Sequence, residues 1–324
     1  LSTTKMALQG AIERTRLAED ASMEADLLAA FPPAMQQRHR DAILKHRLRR
    51  EIVATKVANR FVNRMGILAP FALTEEEGAS FGQAAIAFVG AERLFDMPRL
   101  WAELDGADVP EAARLALFEH AARGLQLHIG DLLRCTAPTM LPAEIVDLVK
   151  PGLTRLNEQV NALLRTEARS EAGVLMKELT ELGAPEALAG RIVRLFELSG
   201  GVGLSVLGRR IGVDEVRLTG AYTRLGEALG LDWAQNAANH FAAGDQWERL
   251  LTAGLAREFE QLRLEFLDRR RDADPEEGVR RWVAEQGPRI EQFRRTVARA
   301  RAASVTTAPM LAQIATQARV LLAR

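Results

Sequence analysis

The 324-residue sequence has a single cysteine, Cys135, a single tyrosine, Tyr222, and only 5% aromatic residues. One thiol excludes an intrachain disulfide and a thiolate metal cluster, and suits a reducing cytoplasm. Charge of one sign is also missing. Forty-three Lys and Arg balance 43 Asp and Glu, which removes the electrostatic basis for a nucleic-acid binder or a polybasic membrane protein. No apolar run approaches the length of a membrane span, and the opening LSTTKMALQG lacks the pattern of a signal peptide. A chain that starts at Leu1 rather than Met reads as part of something longer. Nor does any run alternate β-branched and polar residues as a strand does.

What remains is helix-forming: Ala, Leu, Arg and Glu dominate, and 48% of residues are hydrophobic, ample for a core. The sequence therefore predicts an all-α fold of roughly a dozen helices. Caps and prolines divide it. A helix follows Ser2-Thr3-Thr4, and a short one spans Ser22 to Ala30 before Pro32 and Pro33. A long central helix is expected from about 34 to 65, closed by Gly66. Asp96 with Pro98, and Asp108 with Pro110, open helices through Trp101 and from Glu111 to about Arg134. Pro138, Pro142 and Pro151 mark a junction, because lost backbone donors keep a helix from running through. The expected division is a subdomain at 1–141 and another at 142–324, with a single domain as the alternative. Later helices run from Gly152, from Glu171 to Leu182, from Pro185 to Leu198 and from Asp245 to Arg271, with three more to the end. Ser199 to Gly203 reads as a flexible turn.

One internal echo stands out. GASFGQAAIAFVGAERLFDM from Gly78 aligns with GVDEVRLTGAYTRLGEALGL from Gly212, setting Ser80 on Asp214 as N-caps and Phe88 on Tyr222. Both read as helix-turn-helix corners, either a duplication or convergence on one corner. Such a corner can place a helix in a DNA groove. Phe81, Gly82, Gln83, Ala84 and Ala85 offer one base-reading amide and no cation, so nucleic acid is not the expected partner.

The expected long helix carries the candidate functional residues. On a wheel anchored at Leu44, Leu48, Ile52 and Val62 lie to one side, and Val57, Phe61 and Met65 extend the apolar arc on the other. Arg47, Glu51, Thr55 and Asn59 fall inside that arc. Arg47 and Glu51, four apart, can pair along the helix. The four are a candidate structural network for helix docking, or else an inter-subunit contact. Lys45, Arg49, Lys56, Arg60 and Arg64 form a basic stripe, either a solvated face or a docking surface for an acidic patch on another domain or subunit.

Familiar chemistry is absent. Gly201-Val202-Gly203 is the nearest approach to a dinucleotide-binding turn, but Val206 stands where a third glycine belongs and RIVRLFELSG before it reads as helix. His39 and His46 are seven apart, His120 and His128 eight apart, so neither pair has zinc-helix spacing. Cys135, beside Arg134, reads as inert. No catalytic, cofactor-binding or metal-binding residue is assigned.

The wording of several segments is more specific than their chemistry. ADLLAAFPPAM from Ala25, HRLRREIVATKVANRFVNRMG from His46, LTEEEGAS, AERLFDMPRLWAELD and GLDWAQNAANHFAAGDQWERLLTAGLAREF follow one another in an order that resembles the C-terminal region of the large bacterial NAD-specific glutamate dehydrogenases. LSTTKMALQ resembles the helix preceding them in that family. The resemblance implies a helical accessory domain of an enzyme that oxidatively deaminates glutamate to 2-oxoglutarate and ammonia with NAD as acceptor. It implies that NAD and the catalytic residues belong to the preceding part of the enzyme and that this region alone is inactive. Its implied partners are the enzyme's own catalytic domain and other subunits of a cytoplasmic homo-oligomer, with no nucleic acid, membrane or metal. The alternative is a free-standing helical scaffold or regulator with helix-turn-helix corners.

Overall fold

The computed structural model describes residues 2–163 and 166–323; Leu1 lies outside them. Within these residues the chain forms eighteen α-helices and no strand, as the composition predicts. The count exceeds the expected dozen.

The residues fall into two compact units that are discontinuous in sequence: 1–151 with 172–202, and 152–171 with 203–324. In chain order the helices are α1 (Ser2–Glu13), α2 (Glu24–Leu28), α3 (Pro33–Leu44), α4 (Arg49–Met65), α5 (Ala69–Glu77), α6 (Phe81–Leu94), α7 (Met97–Gly106) and α8 (Glu111–Cys135). Two single 3₁₀ turns, Leu17–Glu19 and Ala21–Met23, connect α1 to α2. Then come α9 (Pro142–Leu163), α10 (Thr166–Glu181), α11 (Glu186–Glu197), α12 (Gly201–Ile211), α13 (Glu215–Leu229), α14 (Leu231–Asn239), α15 (Gln246–Arg270), α16 (Pro275–Glu285), α17 (Gly287–Arg301) and α18 (Ala308–Leu322).

The first unit is built around α6, which packs on α1, α4, α5, α7 and α8. Ten successive or near-successive positions of α6, from Gly82 to Glu92, are buried, as expected of a helix made mostly of Ala, Gly, Ile, Phe and Val. Phe88 of α6 stacks on Phe61 of α4 with ring centroids 4.5 Å apart. In the second unit α15 packs on α13, α14 and α18, and α13 on α16. Phe266 of α15 meets Trp282 of α16 edge to face at 4.8 Å.

Both corners form as the echo predicts. Gly78 and Gly212 take left-handed φ values of 66° and 71°, a region that a side chain disfavours. Ser80 then caps α6 with a full capping box through Gln83, and Asp214 accepts from the amides of Val216 and Arg217 at the start of α13. Because α6 is buried over most of its circumference, the first corner does not present it to a groove.

Three expectations are corrected. The single helix over 34–65 is two helices, with Lys45 to Leu48 between them. Lys45 leaves helical geometry at φ −100° and ψ 15°. His46 Nδ1 accepts the Leu48 amide at 3.1 Å, and the Leu44 carbonyl accepts the Arg49 guanidinium at 3.2 Å. Local side-chain bonds thus satisfy backbone groups that a continuous helix would pair. Second, Pro151 lies inside α9 instead of ending it. Val149 is buried before it, and Leu153 and Leu156 after it; this packing offsets the roughly 3 kcal/mol that an interior proline costs. Third, Gly201 to Gly203 open α12 instead of forming a flexible turn.

Candidate functional site

The break at Lys45 to Leu48 reassigns the expected site residues. The wheel was anchored at Leu44 and carried across a gap where helical phase is lost, and Leu48 is itself exposed. Within α4 the buried stripe is Val53, Ala54, Val57, Ala58, Phe61 and Val62, the i, i+3, i+4 spacing of one helix face. That stripe leaves Glu51 and Thr55 exposed and Asn59 half-buried, while Arg47 is exposed in the link before α4. No hydrogen bond or ion pair joins Arg47 to Glu51. Thr55 donates its hydroxyl to the Glu51 carbonyl at 2.7 Å, a bond within the helix. Arg47, Glu51, Thr55 and Asn59 are therefore not brought together as a buried network.

The stripe divides. Lys45 and Lys56 are exposed, Lys56 reaching the Ala29 carbonyl at 3.3 Å. Arg49 is half-buried against the Leu44 carbonyl. Arg64 grips Asp105 of α7 with two bonds, 2.9 and 2.6 Å, and lies 5.4 Å from the Trp101 ring centre. The paired hydrogen bonds hold the Asp105 carboxyl below the usual carboxylate range. Arg60 takes the organising role that the wheel gave to Arg47. Its Nη1 donates to Asp26 of α2 at 2.6 Å and its Nε to Glu92 of α6 at 2.8 Å. Arg93 adds bonds to Asp26 and to the Ser22 carbonyl.

Three helices thus meet on one guanidinium. Glu92 is the most buried member, and its Oε1 has no hydrogen-bond partner. Burial pushes its carboxyl up to about 7, against the pull of Arg60. For Arg60, burial alone would lower the pKa, and the charges of Glu92 and Asp26 more than reverse it.

A second cluster sits on α8. Arg134 donates to Glu77 of α5 at 2.7 Å and also bonds Asp131. His128, fully buried, stacks on Phe95 with centroids 3.8 Å apart, and its Nε2 lies 2.8 Å from the Leu195 carbonyl of α11. A carbonyl only accepts, so Nε2 carries the proton. Burial lowers its pKa to about 4.

A third cluster lies in the second unit. Arg263 of α15, fully buried, donates from Nη1 to Asp232 of α14 at 2.6 Å, from Nη2 to Gln235, and from Nε to the Phe259 carbonyl at 3.1 Å. Its guanidinium lies 4.0 Å from the ring centre of Tyr222 of α13. Gly226 makes room for the pair: a Cβ there would stand 2.4 Å from Asp232 Oδ1 and 2.8 Å from Arg263 Nη1. Sequence reasoning missed Arg263. Its signal was present as the single tyrosine, aligned in the echo, and the aspartate of Gly230-Leu231-Asp232-Trp233.

Between α7 and α11, within the first unit, lies an open groove of about 530 Å³. Glu103 at its wall accepts from both Arg99 and Arg191, and Arg191 above all holds its carboxyl below the usual range. Among the described residues no group of three or more His, Cys, Asp or Glu is arranged to hold a metal ion, and no helix is long and apolar enough to cross a membrane. The three guanidinium centres, Arg263 fully buried and Arg60 and Arg134 half-buried, tie helices together through salt bridges already internal to each unit.

The sequence matches the family described as glutamate dehydrogenase, C-terminal, over residues 1–319. It is 26% identical over 321 residues to the NAD-specific glutamate dehydrogenase of Pseudomonas aeruginosa, covering 96% of this chain and 20% of that protein. It is 28% identical over 250 residues to the enzyme of the same name from Halomonas elongata, covering 76% of this chain and 15% of the relative. A third, from Mycobacterium tuberculosis, is 25% identical over 260 residues, covering 77% of this chain and 15% of the relative. The chain spans about a fifth or less of the length of these relatives.

Proposed function

Because the chain belongs to the glutamate dehydrogenase C-terminal family, we propose that it is the helical accessory region of an NAD-dependent glutamate dehydrogenase. The reaction served is oxidation of L-glutamate by NAD to 2-oxoglutarate and ammonia. The region's own work is architectural: clamping the catalytic domain, building a cytoplasmic homo-oligomer, or transmitting a regulatory state between them. NAD is bound by the part of the enzyme that precedes it. The observation that carries the reading is the match over residues 1–319 to a family defined as the C-terminal portion of this enzyme.

The chemistry of the buried charges supports it. Arg60, Arg134 and Arg263 each join helices distant in sequence, through carboxylates already engaged within the unit. Such groups fix helix packing; for the fully buried Arg263–Asp232 pair, removing one partner leaves the other uncompensated, at about 3–5 kcal/mol. The test is direct. The purified chain, incubated with glutamate and NAD, is expected to form no NADH; appreciable glutamate-dependent NADH formation by the chain alone overturns the accessory assignment.

A further inference from the structure

We propose that the apolar corner between α4 and α5 is where the polypeptide preceding this region in the longer enzyme packs down. The inference rests on the family reading above and assigns one surface to it. Residues 65–73, MGILAPFAL, contain no ionisable group. Such a stretch ordinarily turns its large side chains inward, yet Ile67, Leu68 and Phe71 all face outward, Leu68 at 72% exposure. Met6 of α1 is 71% exposed as well. Three large apolar side chains exposed within the five residues 67–71 mark an interaction site rather than ordinary surface.

The corner is built rigidly. Gly66, at φ 86°, ends α4, and α5 begins three residues later with Pro70 in its first turn. Phe71 is braced edge to face on Phe81 with centroids 5.1 Å apart. The outward side chains are thus held in place and do not belong to a loose loop.

The occupant follows from the direction in which α1 arrives. α1 packs along α4, and Lys5 in its first turns donates to Asn63 near the end of α4 at 2.9 Å. Gly66 lies three residues beyond Asn63, so the start of α1 and the apolar corner occupy the same end of α4. In a C-terminal family whose members extend to at least about five times this length, the rest of the enzyme is delivered to that end. Of the nearby cations Arg64 is already paired with Asp105, and Lys5 is tied by a hydrogen bond to Asn63. The partner surface is accordingly an apolar segment, a helix face bearing aliphatic side chains, and not an acidic patch.

The experiment places a photo-activated cross-linking residue at position 68 of the full-length enzyme and maps the products by mass spectrometry. Cross-links to residues preceding Leu1 in the same polypeptide are expected; cross-links only to the same corner of a second copy, or none, overturn the proposal. A Leu68→Asp variant separates docking from folding, because position 68 is exposed at the start of α5, where a negative charge suits the positive end of the helix dipole. In the isolated chain L68D should leave the melting temperature unchanged or raised. In the full-length enzyme it should increase proteolytic release of this region at least tenfold, and unchanged release argues against the corner. NADH formation by the chain alone would sink the accessory assignment without touching the cross-linking result, so the two failures are distinguishable.

Discussion

Replacing Glu92 with glutamine should change the pH dependence of stability in a calculable way. Burial raises the folded-state pKa of Glu92 from about 4.5 to about 7. Between these values the folded protein holds a proton that the unfolded chain has released, so stability is fully present below about 4.5 and is lost as pH rises through 7. Linkage puts the loss between pH 5 and pH 8 at roughly 2–3 kcal/mol. His128 works in the opposite sense. Its folded pKa, lowered from 6.5 to about 4, gives stability present above 6.5 and lost on acidification, worth about 2 kcal/mol between pH 8 and pH 5. In the parent protein the two slopes nearly cancel. Glutamine keeps the shape of Glu92 and removes its titration, so E92Q should gain stability with rising pH while the parent stays almost flat. Urea unfolding of both proteins at pH 5, 6, 7 and 8 reads this directly: the E92Q-minus-parent difference should grow by roughly 2–3 kcal/mol across the range. A difference that is constant with pH, or that shrinks, would mean that the Arg60 charge compensates Glu92 fully and that the burial argument is wrong.

Gly226→Ala drives a methyl into the Asp232–Arg263 pair and should cost about 3 kcal/mol or more, seen as a fall in the denaturation midpoint. Arg60→Glu sets a third carboxylate against Asp26 and Glu92, and should destabilise by about 3–5 kcal/mol, whereas Lys45→Glu, on an exposed side chain, should stay within about 0.5 kcal/mol. Equal effects from the two reversals, measured by urea unfolding, would restore the basic stripe as a single surface.

The sequence made the fold class legible because helix formation is declared locally. Ser80 and Asp214 as caps, Gly78 and Gly212 as turns, and Pro98 and Pro275 in first turns all act within a few residues of themselves. What it hid were breaks made without glycine or proline. Between Leu44 and Arg49 the interruption is made by an imidazole nitrogen and a guanidinium bonding to backbone groups, chemistry that residue type does not announce. A phase carried across that gap puts Arg47 in the apolar arc and Arg60 on the stripe, whereas Arg47 is exposed and Arg60 is half-buried between Asp26 and Glu92. The buried charges were illegible for a related reason. Asp26, Arg60 and Glu92 are separated by more than thirty residues at each step, and only tertiary packing brings an acid on α2, a base on α4 and an acid on α6 to one point. Arg263 was hidden in the same way, on a helix whose other charges, Glu260 apart, are exposed or half-buried.

The architectural account is tested most directly by removing the region from the full-length enzyme immediately before Leu1, then measuring glutamate-dependent NADH formation alongside the mass of the assembly. The account predicts that activity, native mass or both fall severely, and that adding the purified chain back restores part of the loss. A truncated enzyme of undiminished activity and unchanged mass would contradict it.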